Sequence, residues 1–309
     1  MKVLRPILGS CVVVSAILLP GRLAGAGTIT LGEAANYALL TSGGGGFSFN
    51  GPGAINGDVG IGVGGKYNFA SPAVINGTMF LGTGVTGTNS GVTISGGIQT
   101  SATISANLTQ AISDANTAAT NAAALTATGT VPGNTIVVTN PSNSVTFNGS
   151  AGQNVLDVTD INLNNGNFTI NGTSSETFII NVSGKFIDNG SASILLTGGV
   201  TAADVLFNIE GTGQDVAITG NAGTVENGTI LAPSRNISIH DQTLNGAVIG
   251  AFGMSFSIQD TSGFTLNGPP TQPPFGGPTP TPLPASVWSG LALLMGFGAM
   301  RIGRRRAIL

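Results

Sequence analysis

The chain has 309 residues, of which 7% are charged and 49 are glycine. Three of its ten basic residues fall within 1–26 and four within 301–306, leaving Lys66, Lys185 and Arg235 against all thirteen acidic residues, a net of −10 for the body. That sign excludes nucleic-acid binding, where Lys and Arg make the phosphate contacts; the single cysteine, Cys11, lies in the leader, so the body has neither a disulfide nor a cysteine metal site.

Residues 1–26 read as a signal peptide. Lys2 and Arg5 form a basic start, 7–19 is an apolar run, and Ala24 and Ala26 fit the small-x-small cleavage rule. An uncleaved N-terminal anchor is the alternative reading. The protein is therefore expected to leave the cytoplasm.

Residues 27–268 form a repetitive body. Asn-Gly recurs at Asn56, Asn76, Asn148, Asn171, Asn189, Asn227 and Asn245, each beside a short apolar alternation. From Asn171 to Asn245 the steps are 18, 38 and 18 residues, the middle one reading as two coils with Glu210-Gly211 at the missing turn. Asn-Gly tolerates positive φ and turns the chain sharply, but hairpins use it too. A period of about 18 to 22 residues selects a solenoid, in which each coil completes its core only by stacking on the next. The expected fold is all-β, a β-solenoid; a sandwich or barrel of hairpins is the alternative.

One segment breaks the pattern. Residues 105–126 lack Gly and Pro, and Leu108, Ile112, Ala115, Ala119 and Ala122 recur at helical spacing. The spacing predicts a long helix packed alongside the solenoid, with strands before and after it joined in one core. The glycine run 43–46 reads as a flexible loop, and no Lys-Ser or Lys-Thr follows to make a phosphate loop.

The body carries little that does chemistry. His240 is the sole histidine, too few for most histidine zinc sites, and no nucleophile motif accompanies it. Asp157 and Asp160, then Asp204, Glu210 and Asp215, are carboxylates that could serve glycoside hydrolysis; acidic residues on stacked turns can also gather calcium ligands, but the Gly-Gly-x-Gly-x-Asp repeat of calcium-binding β-rolls is absent. Tyr37 and Tyr67 are the body's only tyrosines, and it has no tryptophan, which is poor equipment for a sugar-cleaving site. The reading assigns no catalytic, cofactor-binding or metal residue, and no cofactor. Short hydroxyl alternations such as Thr28-Ile29-Thr30 and Ile237-Ser238-Ile239 do not form a Thr-x-Thr ladder. Ice binding stays open as an alternative function.

Residues 269–284 are a Pro-rich spacer. Residues 285–309 are a C-terminal hydrophobic sorting helix with an Arg cluster: an apolar run carrying Trp288, then Arg301, Arg304, Arg305 and Arg306. By the positive-inside rule the arginines stay cytoplasmic. An ordinary C-terminal membrane anchor is the alternative reading.

Pro282, Leu283, Pro284 and Ala285, with Trp288 and the arginines, resemble the VPLPA form of the PEP-CTERM sorting signal; Thr281 replaces its usual Val. The resemblance implies a Gram-negative host and an exosortase-type processing enzyme, with passage through the membrane before display at the cell surface or in the matrix. In the body, 31–40 and Ile55-Asn56-Gly57-Asp58-Val59-Gly60 resemble the ice-binding β-solenoid family, which also carries a long helix beside its solenoid. Residues 227–233 and 244–251 resemble the choice-of-anchor A surface proteins. Together these imply an exported, noncatalytic envelope or extracellular-matrix protein with a structural or adhesive role, its partner exopolysaccharide or ice.

Overall fold

The computed structural model of the protein describes residues 27–42, 44–70 and 72–268. The expected leader with Ala24 and Ala26, the spacer, and the tail with its sorting residues lie outside the described residues. No helix among the described residues is long and apolar enough to cross a membrane.

Short strands with alternating burial wind into a three-sided parallel solenoid. One side is a nine-stranded sheet in the order Ile98–Thr100, Met79–Leu81, Val59–Ile61, Leu39–Thr41, Val248–Gly250, Thr229–Ala232, Val205–Ile209, Thr177–Val182, Gln153–Val158. A second nine-stranded sheet runs Thr86–Asn89, Lys66–Phe69, Phe47–Asn50, Phe256–Gln259, Ile237–His240, Val216–Gly220, Phe186–Gly190, Asp160–Asn164, Thr135–Val138. The third side is split into a six-stranded and a three-stranded sheet.

The strand order shows how the chain is threaded. The N-terminal coils stack on the last coils: Leu39 pairs with Val248, Phe47 with Phe256 and Ala54 with Thr265. The expected helix is α1, Ala102–Ala123, starting three residues earlier than the apolar spacing implies because Ser101 caps it, its side chain accepting from the Ile104 amide at 3.1 Å. At 1.5 Å per residue α1 spans about 33 Å, close to the roughly 38 Å across nine strands. It thus carries the chain from one end of the stack to the other, and the segments before and after it share one lumen.

Two cores result. The lumen is filled by the inward residues of all three sides, among them Phe47, Phe69, Phe168, Phe186 and Phe256. Phe47 meets Phe69 and Phe256 edge-on at 5.2 Å each, the latter across the junction of N- and C-terminal coils. The second core lies between α1 and the first sheet, where Leu108, Ala111, Ala115, Ala118 and Ala122 bury against Leu40, Ile179, Leu206, Leu231 and Ile249. Small residues allow this approach: a Cβ at Gly60 would meet Leu108 at 2.8 Å, and one at Gly62 would meet Ile112 at 2.6 Å.

Three sequence expectations need adjustment. First, the recurring asparagines of the third side are not turn residues with positive φ. They end strands and stack: Asn245 donates to Asn227, Asn267 to Asn245, Asn56 to Asn267 and Asn76 to Asn56, at 2.7–2.9 Å. The following glycine is needed because coils touch there; a Cβ at Gly246 would lie 2.2 Å from the Gly228 carbonyl oxygen. Second, Asn189 belongs to the second sheet, not to this row. Thr197 holds the row's position in that coil, its hydroxyl donating to Asn171 at 3.0 Å, so the counted steps mixed two sides. Third, Gly44 and Gly45 are not a free loop: Cβ atoms there would lie 2.6 Å from the Gly253 carbonyl and 2.5 Å from the Ser255 amide.

Candidate functional site

Among the described residues, the second nine-stranded sheet is the one of the three sides that offers a broad continuous surface. α1 lies on the first sheet and the third side is interrupted. Parallel pairing locks side chains of successive coils into rows. One outward row reads Val137, Asn162, Ile187, Ala217, Ser238, Ser257, Ser48, Asn68, Thr88. Beside it runs Asn164, Asn189, Thr219, His240, Gln259, Asn50.

Local sequence sets the contrast between the two faces of this sheet. The inward partners Ile237, Ile239, Phe256, Ile258, Phe47 and Phe49 are all fully buried, while the outward Ser238, Ser257 and Ser48 are small. Between outward rows lies a shallow trough of about 410 Å³, walled by Lys66, Asn68, Thr86 and Thr88 on the terminal coils and by Ser48, Ser255 and Ser257 further along. Bonds within the surface hold its polar groups in place. The Thr88 hydroxyl donates to Asn68 Oδ1 at 2.7 Å, and the Thr219 hydroxyl makes a short bond to Asn189.

The carboxylates singled out in the sequence separate. Asp160 lies at the edge of the open sheet and accepts from the Lys185 amide at 2.7 Å. Asp157 lies on the helix-covered sheet and accepts from Asn181 at 3.0 Å. The two therefore face different sides and do not make a glycosidase pair. Asp204 binds the Thr201 backbone and hydroxyl, and Asp215 binds Asn236. Only Glu210 comes back to Asp157, whose charge, after burial, raises the Glu210 pKa.

His240 projects from the open sheet, with Nε2 3.1 Å from the Ser238 hydroxyl. This pair stands two residues apart on an open surface, and among the described residues no carboxylate bonds the other ring nitrogen, so the pair lacks the arrangement of an activated nucleophile. Among the described residues no three His, Cys, Asp or Glu side chains gather as for a metal. What the geometry supplies is a patterned surface.

Sequence reasoning missed the polar groups placed inside. Arg235 is 2% exposed, and its guanidinium donates to the carbonyls of Ser183, Gly184, Glu210, Gly211 and Gln214. It fastens the turns of neighbouring coils and is not available to a ligand. Asp188 occupies the lumen row between Leu163 and Ile218, and Glu226 sits in the row of Leu244. Neither carboxyl accepts a well-formed hydrogen bond; their nearest polar neighbours are each other and the Ile194 backbone. Burial raises both pKa values, Glu226 well above the usual range. The signal in the sequence was an acidic residue at an inward position of the alternation, legible only once the register is known.

The family model of the ice-binding-like adhesive domain matches residues 18–252. Among solved structures, the chain is similar to an ice-binding protein from the Antarctic ascomycete Antarctomyces psychrotrophicus, at 22% identity, covering 78% of this chain and 98% of that one, with a TM-score of 0.53. It is likewise similar to an ice-binding protein with antifreeze activity from an Arctic yeast, at 20% identity, 83% and 98% coverage and a TM-score of 0.53. An ice-binding protein from an Antarctic Flavobacteriaceae bacterium matches at 23% identity and a TM-score of 0.52, over 79% of this chain and 47% of that one. At these identities the likeness establishes the solenoid fold. No curated protein matches the chain.

Proposed function

We propose, from the premise that this chain belongs to the family of ice-binding-like adhesive domains, that it is an exported, noncatalytic adhesin whose open nine-stranded sheet is its contact surface and ice its ligand. The observation that carries this reading is the registered outward row of small residues on an uncovered sheet, centred on Ser238, Ser257 and Ser48. A rigid array repeating every roughly 4.8 Å presents many weak contacts at once, which suits a flat periodic target better than a single small molecule. The signal-peptide reading of residues 1–26 and the PEP-CTERM-like tail support export, with handover by an exosortase-type enzyme to the surface or matrix. That tail favours a second reading, in which the same sheet holds exopolysaccharide and the role is structural.

The test is the growth of single ice crystals in a solution of the purified protein. Faceted or arrested crystals are expected, together with their loss in Ser257→Tyr, which places a bulky ring in the middle of the row without touching the lumen. Freely growing, unshaped crystals from the unsubstituted protein would reject ice as the ligand and leave the matrix reading.

A further inference from the structure

The two ends of the solenoid differ. At the end built from 135–158 the stack is closed. The Thr128 and Gly129 amides donate to the Val155 carbonyl at 2.9 and 3.0 Å, and the Thr128 hydroxyl accepts from the Val155 amide at 2.8 Å. Val131 is buried there, and the lumen-facing Ile136, Val138 and Leu156 of the terminal strands are fully buried.

At the other end the stack stops without a cover among the described residues. Ile98–Thr100 pairs only with Met79–Leu81, Thr86–Asn89 only with Lys66–Phe69, and Thr93–Ile94 only with Val74–Asn76. Ile98 continues the lumen row of Leu39, Val59 and Met79, which are fully buried, yet it is 46% exposed because no coil follows. Gly87 and Asn89 stand where the preceding coil has Tyr67 and Phe69, so no large side chain of this strand closes the lumen. The Met79 amide donates to the Gly97 carbonyl at 3.0 Å. Successive residues of a strand face opposite neighbours, so the Ile98 and Thr100 amides point to the free edge.

Such an edge is a template for another strand, and natural edges are blunted by charge or proline. This one has neither: 67–113 contains no charged residue and 73–131 no proline. A stack of repeats also needs a polar cap to remain soluble alone. The chain's own outlying segments are poor covers. Gly27, where the leader would join, lies at the closed end, its carbonyl accepting from Gln153 at 3.0 Å. The 269–284 spacer carries eight prolines, which lack the N–H that edge pairing requires. A second copy offers the same strand edges, and it meets them through a surface free of like charge although each body carries −10.

We propose that this open end is a self-association surface, at which two copies of the chain abut end to end with their edge strands antiparallel about a two-fold axis. Because the opposite end is closed, the contact is isologous and stops at a dimer. A coil of 20 residues, at about 3.3 Å per residue, encloses roughly 200 Å². Outward side chains about double that area, so the pair buries about 800 Å² in total, below the range of stable complexes. The dimer is therefore weak and depends on concentration. It is populated where chains are held close together, since tethering brings effective concentrations to the millimolar range. The contact uses strand edges and is independent of what the face of the open sheet binds.

The test is sedimentation velocity of the full chain in mild detergent, from about 10 μM to about 1 mM, with hydrogen exchange of the 97–101 amides. Expected are a monomer–dimer equilibrium with a dissociation constant of about 10⁻⁴–10⁻³ M and protection of the Ile98 and Thr100 amides that rises with concentration. Ile98→Lys sets like charges against each other across the axis and is expected to weaken the dimer at least about tenfold. Val137→Lys, the same exchange at the closed end, is expected to leave it unchanged. A chain that stays monomeric to about 1 mM would overturn the proposal. So would undiminished association of Ile98→Lys, which would point to the apolar tail as the contact. Protection of Ile98 and Thr100 that ignores concentration would overturn it as well, because the chain itself would then cover the edge.

Discussion

The coils built from residues 39–100 and those built from 135–235 share a topology but not a texture. In the first group, successive coils repeat every 20 residues, as Ser48, Asn68 and Thr88 align, and the lumen positions are apolar, with Phe49, Phe69, Ile55 and Ile75 fully buried. In the second, coil length swells to the 30 residues that separate Ile187 from its partner Ala217, and Asp188, Glu226 and Arg235 are buried. Uniform coils repeat the same contact, so one asparagine or one phenylalanine per coil suffices. Uneven coils leave turns of differing length, whose backbone groups need individual partners, and Arg235 supplies five at once. The difference teaches that a solenoid tolerates irregularity where a buried polar group completes what the repeat omits.

The sharpest way to break this comparison is to remove the fastener. Arg235→Leu is expected to cost about 3 kcal/mol, because partly buried carbonyls on the turns of two neighbouring coils lose their donor together; urea unfolding measures it. A loss below about 1 kcal/mol would mean that those turns stand without it.

The lumen acids give an effect of opposite sign. Replacing both, as Asp188→Leu with Glu226→Leu, is expected to stabilise by about 1–4 kcal/mol, since apolar neighbours then fill a site that held polar groups with poor partners. The pH dependence follows from the raised pKa values of the pair. Raised carboxyls contribute stability that is present below the ordinary carboxylate range of about 4 and is lost as pH rises through their folded-state values. The unsubstituted chain should thus melt at falling temperature from about pH 4 upward, and the double variant should flatten that fall. Asp241 acts the other way near the acid limit. Burial would raise its pKa, but hydrogen bonds from Thr261 and Ser262 outweigh it and hold the value at about 2. Its contribution is present above the ordinary carboxylate range and fades as pH drops through 2, below the window in which the lumen pair is read.

The smallest effect belongs to the regular half. Asn245→Ala interrupts the ladder between Asn227 and Asn267 and is expected to cost about 1–2 kcal/mol, from two partly buried hydrogen bonds. A cost as large as that of Arg235→Leu would show that the repeat, and not the irregular turns, limits stability.

Much of the architecture was legible in the chain. The Asn-Gly recurrence and the apolar alternation pointed to a β-solenoid, and the Gly-free, Pro-free stretch to its helix, because period 2 and period 3.6 place side chains on faces by local geometry alone. Residues 31–40 and 55–60 carried the resemblance to the ice-binding family, whose adhesive-domain model spans 18–252. Candidate chemistry was less legible. Asp157 and Asp160, neighbours in sequence, part to different sides, while Asp157 and Glu210, 53 residues apart, converge.

By itself, then, the sequence determined the coil, the helix and the balance of charge, all of which follow from spacing and composition along one strand or turn. Tertiary structure alone decided that the N-terminal coils stack on the last ones, that the asparagines form a ladder, that Asp188 and Glu226 turn inward, and which sheet stays uncovered. Those outcomes depend on register between coils tens to hundreds of residues apart, as between Phe47 and Phe256. A shift of one residue in that register would send every side chain of a strand to the opposite face.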